Sequence, residues 1–506
     1  MPRRRVRRSV ALTVAAVAVT AGCGTTVPLS QQAAQQAPGA AGLGAAAPGS
    51  STLPAGATSG VSGPSVVALG PSDSGAAGAT GVQAGAVPQG NVSATSPTGQ
   101  VGARDTSPLK IGLTYVDNSG SSAALGATTT DVNAKQISQA LVRGINAKRG
   151  LAGRKLEAIE YSFNTQNANY SQYAAEACAK FTQDNHVSVV LDGGFGTLGG
   201  FRDCMQKNGV LDITQSVEDD RIGSSRATLH DNTSFMTPDR AYSATLNGLS
   251  ATGYLTKSSQ FGIIIEECPH ILRAYNNAIK PLIARLGMKA PLERTIECTT
   301  GFDSAGNAAA PISSAVLAFR QGNVDRVMFV SDFETVVLLL FANAASAQSY
   351  QPGYALTSSA QAEYIRQNVN DSRQWPQLNG VGWTPAFDVA DSGAPPSATE
   401  RRCLQLTQAG GIEPQSYLSK GLVYTACGTF LLLEAALLRT NGASAAQALQ
   451  GAIIGLGSSF VSPGLIGGGT TFSSSRRDGP DQVRVFGYDD TCQCIRYRGG
   501  ISRVPG

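Results

Sequence analysis

Histidine and charged residues are scarce in this sequence, and both shortages narrow its possible functions. The 506 residues include 3 histidines, and 15% are Asp, Glu, Lys or Arg. So few histidines argue against a metalloenzyme with imidazole ligands. Beyond the N-terminus we find no apolar run that is both long and uncharged enough to cross a bilayer, which argues against a membrane-spanning transporter. The length leaves room for two or three domains.

Signature motifs of common enzymes are also absent. The chain contains no Gly-x-Ser-x-Gly, His-Glu-x-x-His or Walker phosphate-binding sequence. His186, His230 and His270 have no serine or cysteine nucleophile at a motif spacing. We therefore expect no catalytic residues, no metal and no cofactor.

The N-terminus has the pattern of a secretory signal. Five arginines lie within the first eight residues and an apolar stretch follows from Val10 to Val19. The segment ends in Thr20-Ala21-Gly22-Cys23, which resembles a bacterial lipobox, with threonine where leucine is usual. Residues 1–22 are thus expected to be a lipoprotein signal peptide and Cys23 the lipidated residue; the alternative is an ordinary signal peptide. Removing residues 1–22 leaves 34 basic against 35 acidic residues, so no nucleic-acid partner is expected.

Residues 23–108 lack aromatic side chains and are rich in Ala, Gly, Ser, Thr and Pro. The charged residues there are Asp73, Arg104 and Asp105. A segment of this composition cannot bury enough apolar surface to offset its ordering entropy. It is predicted to be a disordered, lipid-anchored linker, and residues 109–506 are the folded part, here called the head.

An even number of cysteines remains after Cys23 is set aside. An even count in an exported chain indicates disulfides. Zinc is the alternative, although only Cys492 and Cys494 lie close together and no histidine is near them. The eight residues expected to form disulfides are Cys178, Cys204, Cys268, Cys298, Cys403, Cys427, Cys492 and Cys494.

Apolar patterns in the head alternate between strand and helix periods. Lys110–Val116 is β-rich, and a helix is predicted over 131–149 with Asp131 as its N-cap. Further strands and helices alternate up to Thr214, and the pattern restarts at Gln260–Glu266. Alternation of this kind is typical of βαβ units with parallel sheets. The fold class is therefore α/β, with two similar lobes.

The run Arg143–Lys155 resembles a motif of type I periplasmic binding proteins, the receptors of branched-chain amino acid-type ABC transporters. Arg149 replaces one glycine of that motif, and the residues that match it are Ile145, Asn146, Ala147, Gly150, Gly153, Arg154 and Lys155. In the second half, residues 301–304 and 322–325 are similar to the family's Asp-Phe-Ser and Gly-x-x-Asp markers. Residues 266–270 replace the Asp-Asp-x-x-Tyr-Gly-like run of amino acid-binding relatives and lack its tyrosine.

This resemblance implies two Rossmann-like lobes joined by three crossovers, near 230–240, 380–390 and 470–478, with a ligand cleft between them. Lobe 1 would comprise residues 109–235 and 386–476, and lobe 2 residues 236–385 and a closing hairpin, 477–506. It implies a monomeric receptor on the outer face of the cytoplasmic membrane that delivers a small polar solute (an amino acid, amide or small carboxylate) to ABC permease subunits. A ligand sensor and a non-transporting surface scaffold remain alternatives.

The same topology suggests which cysteines pair. It makes the helices that carry Cys178 and Cys204 neighbours, and it places Cys268 and Cys298 at the ends of adjacent strands. Cys403 with Cys427 and Cys492 with Cys494 complete the expected set, among 105 possible connectivities for eight cysteines.

Ligand contacts are expected at the carboxyl ends of the parallel strands, where open α/β sheets bind their ligands. There, residues 194–199 match the Gly-x-Gly-x-x-Gly of dinucleotide sites. In an exported chain the same backbone could instead hold an anionic ligand group at a helix N-terminus, or form a purely structural turn. Asp332 is the first choice as partner for a ligand ammonium group. The expected contacts are Asn118, Ser119, Phe195, Gly196, Thr197, Gln215, Ser216, Glu267, His270, Asp332, Phe333, Ser358 and Ser359.

Overall fold

The computed structural model describes residues 104–117, 130–164, 169–194, 200–215, 221–222, 225–226, 228–299, 306–390 and 393–504. Strands and helices alternate through the first 130 residues of this part, as the apolar periodicity predicts. The first lobe begins with β1 Leu109–Asp117, α1 Ala134–Ala147, β2 Leu156–Asn164, α2 Tyr170–Ala179, β3 Val189–Asp192, α3 Phe201–Lys207, β4 Leu211–Thr214 and β5 His230–Asn232. A short antiparallel pair, Arg221–Ile222 with Ser225–Arg226, precedes β5.

The second lobe repeats this alternation. Its elements are α4 Pro238–Ala251, β6 Phe261–Glu266, α5 Pro269–Ala274, α6 Lys280–Arg285, β7 Leu292–Ile296, α7 Ala309–Gln321, β8 Arg326–Val330, α8 Glu334–Ala347, β9 Gly353–Leu356, α9 Ala362–Asn368, β10 Leu378–Gly382 and α10 Pro385–Asp388. The chain then forms α11 Ala398–Ala409, α12 Tyr417–Arg439 and α13 Ala446–Leu456, and it ends with the hairpin β11 Gln482–Asp489 and β12 Cys494–Arg503.

The two sheets share one strand order. The first sheet runs β2-β1-β3-β4-β5, and every neighbouring pair is parallel. The second sheet runs β7-β6-β8-β9-β10 in the same order, and β11 and β12 extend it in antiparallel fashion. Its central strands are apolar and buried because helices cover both faces of a parallel sheet. This architecture confirms the predicted α/β class with two Rossmann-like lobes.

Helices α11 to α13 return to the first lobe after the chain has built most of the second. Cys403, Phe430 and Ile453, one from each of these helices, belong to the same apolar core as Leu113 of β1. Among the described residues, α12 is the one helix long and apolar enough to cross a membrane, contrary to the expectation that no such run follows the N-terminus. Because 78% of its most apolar stretch is buried within the protein, α12 is a core helix of the first lobe.

Close backbone contacts join the returning helices to the first segment. A Cβ atom on Gly144 of α1 would overlap the carbonyl oxygen of Leu406 in α11, and one on Gly410 would overlap that of Ala140. Arg143 Nε also donates to the carbonyl oxygen of Gly410 at 2.9 Å. The two helices therefore cross at Gly144 and Gly410, because a side chain at either position would collide with the backbone of the other helix.

Asp131 is not the helix cap that the sequence predicts. The N-cap of α1 is Asn133, which forms a capping box with Gln136. The Asp131 carboxylate instead accepts hydrogen bonds from the backbone N–H of Gln415 at 2.9 Å and from the Ser416 and Ser419 hydroxyls. Partial burial opposes ionisation of Asp131, but these bonds outweigh it and lower its pKa to about 2. Asp131 thus links the two chain segments of the first lobe.

The motif at 143–155 shapes the corner between α1 and β2. The Asn146 side chain donates to the carbonyl oxygen of Leu156 at 3.0 Å and accepts from its N–H at 2.8 Å. Gly150 has a φ of 82°, and a Cβ there would collide with the Arg154 carbonyl. Arg149, which replaces a family glycine, has a φ of 81°, in the left-handed region that favours glycine. The motif therefore serves the fold rather than a ligand.

Residues 105–108 belong to the folded structure, although the sequence placed them in the linker. Arg154, which is 4% exposed, pairs with Asp105 at 3.1 Å and donates through Nε to the carbonyl oxygen of Ser107 at 2.7 Å. The N–H of Asp105 also donates to the carbonyl oxygen of Asn441 at 3.1 Å. The buried guanidinium thereby fixes the start of β1.

Three segments cross between the lobes, and hydrogen bonds join them. The N–H of Asn232 donates to Arg477 O at 2.8 Å, and the N–H of Thr237 donates to the Asp478 carboxylate at 2.8 Å. The Trp383 indole donates to Ser234 O at 2.9 Å. Because all three crossing segments are bonded together, the lobes share one connecting region.

Four disulfides join the cysteines in the order in which they occur along the chain. The pairs are Cys178–Cys204, Cys268–Cys298, Cys403–Cys427 and Cys492–Cys494, the same set that the topology suggested. The first and third lie in the first lobe, and the second and fourth in the second lobe. None of these four bonds connects the lobes.

Replacing Cys403 and Cys427 together with alanine is expected to lower the free energy of unfolding by about 3 kcal/mol. The bond closes a 24-residue separation between α11 and α12, so its loss returns considerable entropy to the unfolded chain. Urea unfolding under non-reducing conditions measures the change. The matched control replaces Cys492 and Cys494, which close a two-residue separation, and should cost at most about 1.5 kcal/mol. Equal losses would contradict a dependence on loop length.

Candidate functional site

The expected ligand contacts divide into two groups. Six of them, and the cysteine expected to carry the lipid, lie outside the described residues, namely Asn118, Ser119, Phe195, Gly196, Thr197, Ser216 and Cys23. The other seven, Gln215, Glu267, His270, Asp332, Phe333, Ser358 and Ser359, are described. His270, Asp332 and Phe333 come together in the structure, at the carboxyl edge of the second sheet.

The centre of this site is an ion pair between His270 and Asp332. His270 lies in the first turn of α5, directly after β6, and Asp332 follows β8. These strands are neighbours in the sheet, so the two side chains meet, with Nε2 of His270 2.6 Å from Oδ2 of Asp332. Oδ1 of Asp332 is buried and has no hydrogen-bond partner among the described residues. Since the side chain is 7% exposed, one carboxylate oxygen is left with unused hydrogen-bonding capacity in a largely dry site.

Glu266, the last residue of β6, positions Asp332. Its carboxylate accepts from the Asp332 N–H at 3.0 Å and from the Ser331 hydroxyl at 2.8 Å. Its other oxygen accepts from the N–H of Thr299 at 2.8 Å. Cys298, next to Thr299, is held to Cys268 by a disulfide. The disulfide and Glu266 therefore fix the strand ends that carry the site.

Burial and charge shift the pKa values of this cluster. Burial alone lowers the pKa of His270, but the charge and hydrogen bond of Asp332 outweigh it and raise that pKa above its ordinary value. Burial, and then the charge of Asp332, raise the pKa of Glu266. Arg202 opposes protonation of His270 through its own charge. The charged form of His270 is thus favoured by Asp332, while the neighbouring Glu266 keeps its proton to a higher pH than an ordinary glutamate.

The first lobe contributes an aromatic ring and a cation to the same site. Tyr170 of α2 stacks on Phe333, with ring centroids 6.4 Å apart and planes inclined by 29°. Burial and the charge of Glu266 raise the pKa of Tyr170 to about 12. Arg202 of α3 is buried and acts electrostatically on His270. Side chains of the two lobes therefore meet at Phe333, the residue that follows Asp332.

Tyr170 and Arg202 were not among the residues expected from the sequence. Both lie in the first turn of a helix that follows a strand of the first sheet. A helix start after a strand is a typical place for a ligand contact in α/β folds. The contacts expected for the first lobe come only from the loops after β1, β3 and β4, so they do not include Tyr170 and Arg202.

The other four described residues form no hydrogen bond with this pair. Glu267 is exposed and uses its N–H to bond Ile296 O at 2.9 Å. Ser358 is fully buried, and its hydroxyl accepts from the N–H of Trp383 at 2.7 Å. Ser359 and Gln215 are half-buried. The Ser358 hydroxyl is therefore engaged in binding the backbone of a crossing segment.

One cluster of side chains with metal-ligand donors occurs among the described residues, next to the site. Among the described residues, Glu266, Cys268 and Cys298 cluster closely enough to hold an ion, but both sulfurs are in a disulfide. Within the described part of the chain, His270 is hydrogen-bonded to Asp332 and to no serine, threonine or cysteine.

Solved structures of solute-binding proteins resemble the whole head. A possible leucine/isoleucine/valine-binding protein from Rhodopirellula baltica SH 1 has a TM-score of 0.55 and 13% identity, over 79% of this chain and 98% of that chain. A fatty acid ABC transporter substrate-binding protein from Thermomonospora curvata has a TM-score of 0.54 and 16% identity, over 79% and 94%. An ABC transporter solute-binding protein from Rhodopseudomonas palustris BisB5, in complex with 3,4-dihydroxybenzoic acid, has a TM-score of 0.55 and 14% identity, over 79% and 98%.

No protein-family model and no curated protein sequence matches the chain. At these identities the structural likeness concerns the fold. The head has the type I periplasmic-binding-protein fold, as the sequence resemblance implied.

Proposed function

We propose that the protein is a lipid-anchored, extracytoplasmic receptor that captures a small polar solute between its lobes and delivers it to an ABC permease. The observation that carries this proposal is the buried Oδ1 of Asp332, which has no hydrogen-bond partner among the described residues. An ammonium, amide or hydroxyl group of a solute would supply the missing donor. The charge of Arg202 on the facing lobe favours a solute that also carries a carboxylate.

Lobe closure is the proposed capture mechanism. Asp332 and His270 lie on the second lobe, and Tyr170 and Arg202 on the first. A solute between them gains contacts with both lobes only when these approach each other. Its binding therefore shifts the population towards the closed arrangement, which a permease could distinguish from the open one.

Sequence features support the lipid anchor, and similar structures support a permease as the partner. The lipobox-like run that ends at Cys23 supports lipidation after export. A linker of more than 80 residues after Cys23 would let the head reach solutes and a permease from the membrane surface. Proteins with this fold that are named as ABC transporter substrate-binding proteins support the choice of partner.

The stack of Tyr170 on Phe333 supports a second candidate, a scaffold whose cleft is filled by its own side chains. A thermal-shift screen of the purified full-length protein in detergent separates the two functions. The probes are amino acids, their amides, small carboxylates, polyamines and sugars. A solute at 100 times its dissociation constant adds about 2.7 kcal/mol to the free energy of unfolding, so a receptor should melt several degrees higher with its solute. No shift with any probe on folded protein would favour the scaffold.

Replacing Asp332 with asparagine is expected to weaken binding of any amine-containing solute found in that screen at least about 10-fold, because a charge-assisted hydrogen bond is lost. Isothermal titration measures the change. Asp490→Asn makes the same chemical change at the exposed turn of the β11–β12 hairpin and should leave the affinity unaltered. Unchanged affinity in Asp332→Asn would remove this carboxylate from the solute site.

A further inference from the structure

The tip of the β11–β12 hairpin carries a disulfide that differs from the other three. Cys492–Cys494 encloses one residue, Gln493, whereas the other bonds join cysteines that are 24 to 30 residues apart. Among the eight described cysteines, Cys492 alone is exposed, and Cys494 is half-buried. By contrast, Cys403 and Cys427, which join α11 to α12, are fully buried. A thiol from solution can therefore reach Sγ of Cys492 without any opening of the fold.

The backbone of this turn also favours opening of the bond. Gln493, between the two cysteines, has a φ of 51°, in the left-handed region that residues other than glycine rarely adopt. Reduction frees Gln493 to leave this region, which stabilises the reduced form relative to the oxidised one. Exposed or strained disulfides have higher reduction potentials than buried structural ones, and they are the ones that exchange with thiols. Cys492–Cys494 has both properties.

The hairpin itself does not depend on this disulfide. Its two strands pair from one end to the other. Ile495, next to Cys494, is fully buried, and its N–H donates to the Glu363 carboxylate at 3.1 Å. The carbonyl oxygen of Ile495 accepts from the N–H of Ala390 at 3.2 Å. These contacts involve neither sulfur atom, so the lobe should stay folded when the bond is reduced.

We propose that Cys492–Cys494 is a thiol–disulfide exchange site whose substrates are dithiols. One thiolate of the dithiol attacks Sγ of Cys492 and forms a mixed disulfide, and Cys494 leaves as a thiolate that takes up a proton. The second thiolate of the dithiol then attacks its own sulfur in the mixed disulfide, and Cys492 leaves and is protonated in turn. The dithiol is thereby oxidised to a disulfide, and both cysteines are reduced to thiols. This chemistry is independent of the solute site between the lobes.

Partial reduction of the full-length protein in detergent with dithiothreitol tests the assignment. Charges of both signs lie at the turn, where Arg496 is 3.6 Å from Asp489, so an uncharged dithiol is a suitable probe. The thiols that form are blocked with N-ethylmaleimide and located by peptide mass spectrometry. Cys492 and Cys494 should be labelled at least about 10-fold faster than any other cysteine, with the circular dichroism of the head unchanged. Equal labelling of all four pairs, or labelling of this pair only as the head unfolds, would overturn the site.

Two single variants test where the attack occurs. Cys494→Ser leaves the exposed Cys492 as a free thiol, and Cys492→Ser leaves the half-buried Cys494. With the uncharged disulfide dithiodipyridine, Cys494→Ser should form a mixed disulfide at least about 10-fold faster than Cys492→Ser, because reactivity follows access to the sulfur. Circular dichroism of both variants checks that they are folded. Equal rates, or a faster reaction at Cys494, would refute Cys492 as the residue that dithiols attack.

Discussion

Replacing Gly144 with valine is expected to lower the free energy of unfolding of the head by about 3 kcal/mol or more. The Cβ of any residue at this position would overlap the Leu406 carbonyl, a backbone atom that cannot rotate away. Relief requires α1 and α11 to separate, which would pull Ile137, Leu141 and Ile145 away from the core of the first lobe. Thermal and urea unfolding of the full-length protein measure the loss.

The same substitution at another helical glycine provides the control. Gly451 of α13 has no atom within 4 Å of the position of an added Cβ. Gly451→Val should therefore be neutral or slightly stabilising, because valine has a higher helix propensity than glycine. A Gly144→Val protein as stable as Gly451→Val would show that α1 and α11 do not cross as described.

Replacing Glu334 with glutamine is expected to raise the free energy of unfolding at pH 8 by on the order of 3 kcal/mol and to leave it nearly unchanged at pH 4. Glu334 begins α8 and is 1% exposed. Its carboxyl group accepts from Thr357 N at 3.1 Å and from the Thr357 hydroxyl at 2.5 Å. Burial outweighs these bonds and raises its pKa to about 8.

The sign of the effect follows from proton linkage. Glutamate has a pKa of about 4.3 in an unfolded chain. Below that pH the proton is bound in both states and the full contribution to stability is present. As the pH rises towards 8, the unfolded state releases the proton first, and stability is lost. Glutamine cannot ionise, so the variant avoids this loss.

Urea unfolding of both proteins from pH 4 to pH 8 measures the difference. Asp388, whose pKa burial raises to about 7, remains in the variant and preserves part of the pH dependence. Glu413→Gln, at an exposed position between α11 and α12, is the control and should follow the wild-type curve. Parallel curves for wild type and Glu334→Gln would mean that Glu334 is ionised in the folded protein.

Strong apolar periodicity made most of the fold predictable. Strand β6, Phe261–Glu266, lies within the run Gln260–Glu266 where the sequence pattern restarts, because this run is short and apolar. Two other strands give no such signal in the sequence. β5 consists of polar residues that gain burial only from tertiary contacts. β10 contains two glycines, which are rare in strands, and Gly380 is required because the Phe486 ring lies directly on it.

The candidate site was predictable only in part. Open α/β sheets bind ligands at the carboxyl ends of their strands, and this rule indicated His270 and Asp332. It could not show that Asp332 pairs with His270 through one oxygen only, or that Glu266 is used to hold the Asp332 backbone. The rule also could not predict that Tyr170 and Arg202 lie near the site, since their position depends on how the two lobes face each other.

The disulfide pattern has a consequence for how the chain matures. Every cysteine of the head is bonded to its next neighbour along the sequence, and no pair is separated by more than 30 residues. In a chain that crosses the membrane N-terminus first, each pair emerges before the next cysteine arrives. Oxidation in order of emergence then produces the native set directly, so correct pairing requires no reshuffling by an isomerase.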